Sequence, residues 1–105
     1  MRQVDLKHPR PAAGQEALLA RLTRHMDARL HDIDANWPEV LEADQSTGTV
    51  LVRFPGRDLE QVLNTLEIGS GISLDRSEDC AIFRLSPDIP FEDLDYVWGA
   101  LFELL

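Results

Sequence analysis

Cys80 is the only thiol in the 105-residue sequence. It cannot close an internal disulfide, nor can it supply the second thiol of a zinc knuckle. Beside Ala81, Ile82 and Phe83 it reads as a small buried hydrophobe. Lysine is equally scarce, with Lys7 alone. Positive charge is short overall: ten Lys and Arg stand against 19 Asp and Glu, a net charge of −9. Such a surface repels phosphate backbones and anionic lipid, so neither nucleic acid nor a membrane surface is expected as a partner. No apolar run approaches the roughly 18 residues of a membrane span. The opening "MRQVDLKHPRP" lacks the hydrophobic stretch of a signal peptide, so a cytoplasmic location is expected.

Catalytic signatures are missing too. There is no G-x-S-x-G elbow, no G-x-G-x-x-G and no G-K-[ST] phosphate loop. His25 and His31 are six apart on a predicted helix and so do not share a face as paired metal ligands would, and His8 lies in the N-terminal segment. The acids Asp75, Glu78 and Asp79, and then Asp88, Glu92, Asp93 and Asp95, lack the glycine-punctuated spacing of a calcium loop. They read as a hairpin turn and as charge at a helix start. No metal site and no cofactor are expected.

What is present is regular patterning. The two prolines of "KHPRPAAG" disfavour helix at the residues before them, and residues 1–14 read as a flexible segment. Leu18, Leu22, Met26, Leu30 and Ile33 recur at three or four, which predicts a helix over 15–34 that stops at "NWP". "EVLEAD" and "GTVLVRF" read as two strands, Val50, Val52 and Phe54 facing one way and Thr49, Leu51 and Arg53 the other. Asp58 is placed to cap a helix over 59–67, with Gln61 at the capping-box position and Leu59, Val62, Leu63 and Leu66 as its buried face. After "GSG" comes a second hairpin, "ISLD" and "CAIFRLS" around the turn "RSED". A last helix begins near Pro90.

The predicted order is α-β-β-α-β-β-α. It implies a two-layer α+β sandwich over 15–105, its antiparallel sheet built from two hairpins and covered on one face by three helices. A ferredoxin-like sandwich has a comparable inventory, which leaves the strand order open.

Arg84 is the residue that patterning explains least. A guanidinium among Ile82, Phe83 and Leu85 needs a carboxylate or a cleft, because burying it unpaired is very costly. An internal partner such as Glu42 or Asp75 would satisfy it, as would exposure on an open sheet face, which Arg53 could share.

The succession of "LLARLTRHMDARL", "TGTVLVRFPGRD", "LEQVLNTLE", "GISLD", "FRLSP" and "FEDLDYVWGALFEL" resembles the small C-terminal domain of fold-type I pyridoxal-phosphate aminotransferases, the class V branch above all. The resemblance spans Leu18 to Leu105. It implies that Arg84, in "FRLS", stands where that family binds the substrate α-carboxylate with an arginine fork. The family's cofactor domain, with its Schiff-base lysine, has no counterpart in 105 residues, and Lys7 has nothing around it to activate it. A stand-alone small domain is therefore expected to be non-catalytic.

Such a domain would also leave a contact surface open. Leu94, Val97, Trp98, Leu101, Phe102, Leu104 and Leu105 cover more than one face of the last helix, wider than a two-layer domain requires. Trp98, Phe102, Leu101 and Leu105 are the expected interface, for a homodimer or another protein. The alternatives are a binding module that holds an amino or keto acid through Arg84 and Arg53, and one subunit of a split pyridoxal-phosphate enzyme.

Overall fold

Val50 and Val52 have no exposed surface and Phe54 is buried, while Leu51 is half-buried and Arg53 exposed. That alternation places one sheet face in the core and the other outside it. The computed structural model describes residues 2–34 and 37–104; Asn36 of the expected helix stop and Leu105 of the expected interface lie outside them. Among the described residues eight elements follow one another. They are β1 (Val4–Leu6), α1 (Glu16–His31), β2 (Glu39–Asp44), β3 (Thr49–Arg53), α2 (Leu59–Ser70), β4 (Ile72–Ser77), β5 (Cys80–Arg84) and α3 (Phe91–Phe102).

The α+β class holds, with three helices, but the sheet has five strands in the order β1-β4-β5-β3-β2 and is mixed rather than antiparallel. The strand absent from the sequence reading is β1, which lies within the segment read as flexible. It pairs in parallel with β4, Val4 opposite Ile72 and Leu6 opposite Leu74. Val4 and Leu6 are 3% and 0% exposed. Behind β1 the chain is tied to the far end of the sequence. Arg10 donates its backbone N–H to the buried Ser86 Oγ at 2.8 Å and its Nε to both oxygens of Asp88. Arg2 pairs with Asp93 at 2.9 Å. The acids before and within the start of α3 thus hold the N-terminal segment as well as complementing the helix dipole.

One core joins Val4, Leu6, Val50, Val52, Ile72, Leu74, Ala81 and Phe83 of the sheet to Leu22, Met26, Leu30, Val62, Leu66, Leu94, Val97 and Leu101 of the helices. Cys80 and Ile82, on the alternate positions of β5, belong to no part of it. All three helices therefore cover the same face.

α1 is shorter than predicted: it stops at His31, where the N–H groups of Asp32 and Ile33 return to the carbonyls of Arg29 and Leu30. α2 is longer. Asp58 caps its start by accepting from the Glu60 N–H, and it runs through Gly69 and Ser70 until Gly71 adopts φ 69°. A left-handed residue there closes the last turn, which suits glycine.

A second left-handed glycine fixes the β2–β3 turn. Gly48 has φ 73°, and a Cβ there would lie 2.7 Å from Cδ1 of Leu19. Its carbonyl also accepts the Leu85 N–H at 2.8 Å. Gly48→Ala is expected to cost about 2 kcal/mol, from left-handed strain and overpacking together. Urea unfolding measures it, and a loss under about 0.5 kcal/mol would show that Leu19 moves aside freely.

Candidate functional site

With helices on one side only, the outer sheet face has no helix packed over it. Its register is explicit. Asp75 of β4 lies opposite Ile82 of β5, Ile82 opposite Leu51 of β3, and Leu51 opposite Glu42 of β2. Adjacent strands are about 4.8 Å apart, so the backbones at Asp75 and Glu42 stand about 14 Å apart with two apolar residues between them. On one side of that row Arg84 faces Thr49, and Thr49 faces Asp44. On the other, Ser77 faces Cys80, and Arg53 faces Glu39.

Both candidate arginines are on this face, and both are paired. Nε of Arg84 donates to Oδ2 of Asp75 at 2.9 Å, with the two side chains 36% and 32% exposed. The hairpin register places them diagonally on adjacent strands, within reach of a long side chain. Arg84's hydrogen bond, followed by the backbone N–H of Arg76, holds the Asp75 carboxyl below its ordinary value of 3.8. Arg53 donates to Glu39 at 2.7 Å and approaches Asp79 at 3.8 Å. The structure therefore gives Arg84 an internal partner among the acids the sequence offered.

Arg84→Gln is expected to cost only about 0.5–1 kcal/mol, the scale of a half-exposed ion pair. The same pair gives an acid dependence of known sign. Asp75 is depressed in the folded state, so its contribution is complete above pH 3.8 and is lost as pH falls through its folded value. Asp75→Asn should therefore flatten the fall in urea midpoint between about pH 5 and pH 2; an unchanged profile would show that the pair does not persist in solution.

Charge on the face is unbalanced. Five carboxylates, those of Asp5, Glu39, Glu42, Asp44 and Asp75, share it with two guanidinium groups. The Glu42 side chain makes no hydrogen bond or ion pair among the described residues, and the Asp44 carboxylate has no cationic partner there, accepting instead from Ser46. Together with Thr47, Thr49 and Leu51, these two acids line a shallow depression beside β2. Burial, then Asp79, pushes the Cys80 thiol up, so it stays protonated at neutral pH.

The expected helix interface is arranged differently. α3 packs against both α1 and α2, which explains why its apolar surface is wider than one stripe. Leu101 is 0% exposed and belongs to the core, not to a contact surface. Trp98 lies half-buried under the guanidinium of Arg29, 4.6 Å from its ring centroid, and stacks at 5.5 Å on Phe102. Asp95 accepts from His25 and Arg29 at 2.8 and 2.9 Å, closing the α1–α3 seam. Phe102 is 48% exposed. The other large exposed apolar side chains are Leu41 on β2, Ile68 on α2 and Phe91 at the opposite end of α3. An 11-residue separation along a helix is about 16 Å, so Phe91 and Phe102 do not form one patch.

Among the described residues no group of three or more His, Cys, Asp or Glu is placed to hold a metal ion. No helix among them is long and apolar enough to cross a membrane. No family model matches the chain, and no curated protein matches it.

Proposed function

We propose that the chain acts as a non-catalytic protein-interaction module and that its contact surface is the outer sheet face. The observation that carries this reading is the one-sided sheet, whose outer face sets the half-buried Leu51, beside the nearly covered Ile82 and Cys80, inside a charged border. An apolar centre with a polar rim is the ordinary anatomy of a protein interface. The resemblance to an aminotransferase small domain agrees with it, because such a domain packs against another part of its enzyme. A carboxylate clamp at Arg84 fits less well, since a ligand acid would have to displace Asp75, already 2.9 Å away.

The test compares proteins cross-linked to the wild-type chain in its source cells with those cross-linked to Leu51→Lys and to Phe102→Lys. The expected result is a protein recovered in fixed stoichiometry with wild type and Phe102→Lys and lost from Leu51→Lys. Recovery lost only from Phe102→Lys would move the contact to α3. Recovery unaffected by either variant would overturn the reading.

A further inference from the structure

The outer face has a chemical polarity that narrows what can cover it. Asp75 and Glu39 are neutralised by Arg84 and Arg53. Glu42 and Asp44 have no such cation among the described residues, and both flank Leu51 on the side of β2. These two carboxylates thus set negative charge along the β2 margin of Leu51, while Asp5, at the far edge on β1, meets His8 at 3.4 Å. β2 itself is a poor strand to extend. Its ladder with β3 shifts register between Val40 and Glu42, and a bulge with acidic neighbours blunts an edge against further pairing.

Resting on the interaction-module reading, we propose that the outer face takes a basic amphipathic helix from another polypeptide. Three features support that occupant. The backbone-to-backbone width of the Asp75–Ile82–Leu51–Glu42 row is about 14 Å, and a helix with its side chains is about 10–12 Å across. Leu51, half-buried, offers a small apolar foothold for the helix's apolar side, while Glu42 and Asp44 offer acceptors for lysine or arginine along one flank. A second copy of this chain is a poor occupant, because the chain carries a net −9 and a two-fold contact would set two net-acidic faces together. Nucleic acid and anionic lipid are repelled for the same reason.

The strip is small. Ile82 is already only 7% exposed and Cys80 8%, so charge and not apolar area must supply much of the attraction, and binding should be salt-sensitive.

The probe is a synthetic 18-residue helix of leucine and lysine with one apolar face, set against the same peptide with glutamate for lysine. Titration into isotopically labelled protein, followed by amide chemical shifts, reports both affinity and place. The expected result is saturable binding of the lysine peptide with shifts concentrated at Thr49, Leu51, Ile82 and Glu42. It should weaken about tenfold or more in Glu42→Lys/Asp44→Lys, and less than about twofold in Glu60→Lys/Glu67→Lys, which makes the same charge change on the exposed side of α2. Equal weakening in the two double variants, equal binding of the glutamate peptide, shifts centred on α3, or no saturable binding would each overturn the proposal. So would a Leu51-dependent dimer of the unliganded chain in sedimentation velocity. The interaction-module reading fails separately, when cross-linked partners show no dependence on Leu51 or Phe102.

Discussion

Phe83→Ala is expected to destabilise the protein by about 3–5 kcal/mol, a large loss for a single truncation. Phe83 is 0% exposed and the bulkiest fully buried side chain. It sits on β5, the central strand, opposite Val50 of β3. Truncating it removes the ring's transfer free energy and leaves a cavity that neighbours on a rigid sheet fill only in part. At about 4 °C per kcal/mol for a chain of this size, melting should fall by roughly 12–20 °C.

Ile82→Ala is the matching control. Ile82 is the next residue along the strand but points to the outer face, beyond the core. Its truncation should cost about 1–2 kcal/mol, because only flanking side chains, not a packed layer, lie over it. Urea midpoints of the two variants decide the matter. Equal losses would mean that the outer face is covered in solution by something as well packed as the helices.

Leu6→Ala is expected to cost about 3 kcal/mol, the next largest effect. Leu6 has no exposed surface and lies opposite Leu74 on the parallel β1–β4 ladder. The strand is three residues long, too short to persist by its own hydrogen bonds, so its two inward side chains account for most of its hold on the sheet. Arg10→Ala tests the rest of the segment. Its pair with Asp88 is half-exposed, and its loss should cost under about 1 kcal/mol. A Leu6→Ala loss under about 1 kcal/mol in thermal and urea unfolding would mean that β1 is detached from the sheet in solution.

These contrasts also mark the limits of patterning. Leu22, Met26 and Leu30 fall on the buried side of α1 as their spacing requires. Val50 and Val52 alternate inward on β3, and Asp58 caps α2. Each depends on residues within a turn or two of one another, so the local period carries the information. Gln61 shows the limit even there, since the cap acceptor is met by the N–H of Glu60. β1 has only Val4 and Leu6 to alternate, followed by a proline-broken stretch, and two apolar residues make no period. Its partner is β4, nearly seventy residues away.

The sequence alone therefore determined the α+β class, the helix faces, the two hairpins and the excess of acid. Tertiary structure decided the rest. It added β1 in parallel, lodged α3 between two helices so that Leu101 is core and Trp98 sits beneath Arg29, and left the acidic outer face uncovered. It also chose Asp75 for Arg84, from a field of acids the sequence could not rank. The physical reason is register: which side chains meet across a sheet depends on how strands distant in sequence are aligned, and every such alignment moves whole rows of residues together.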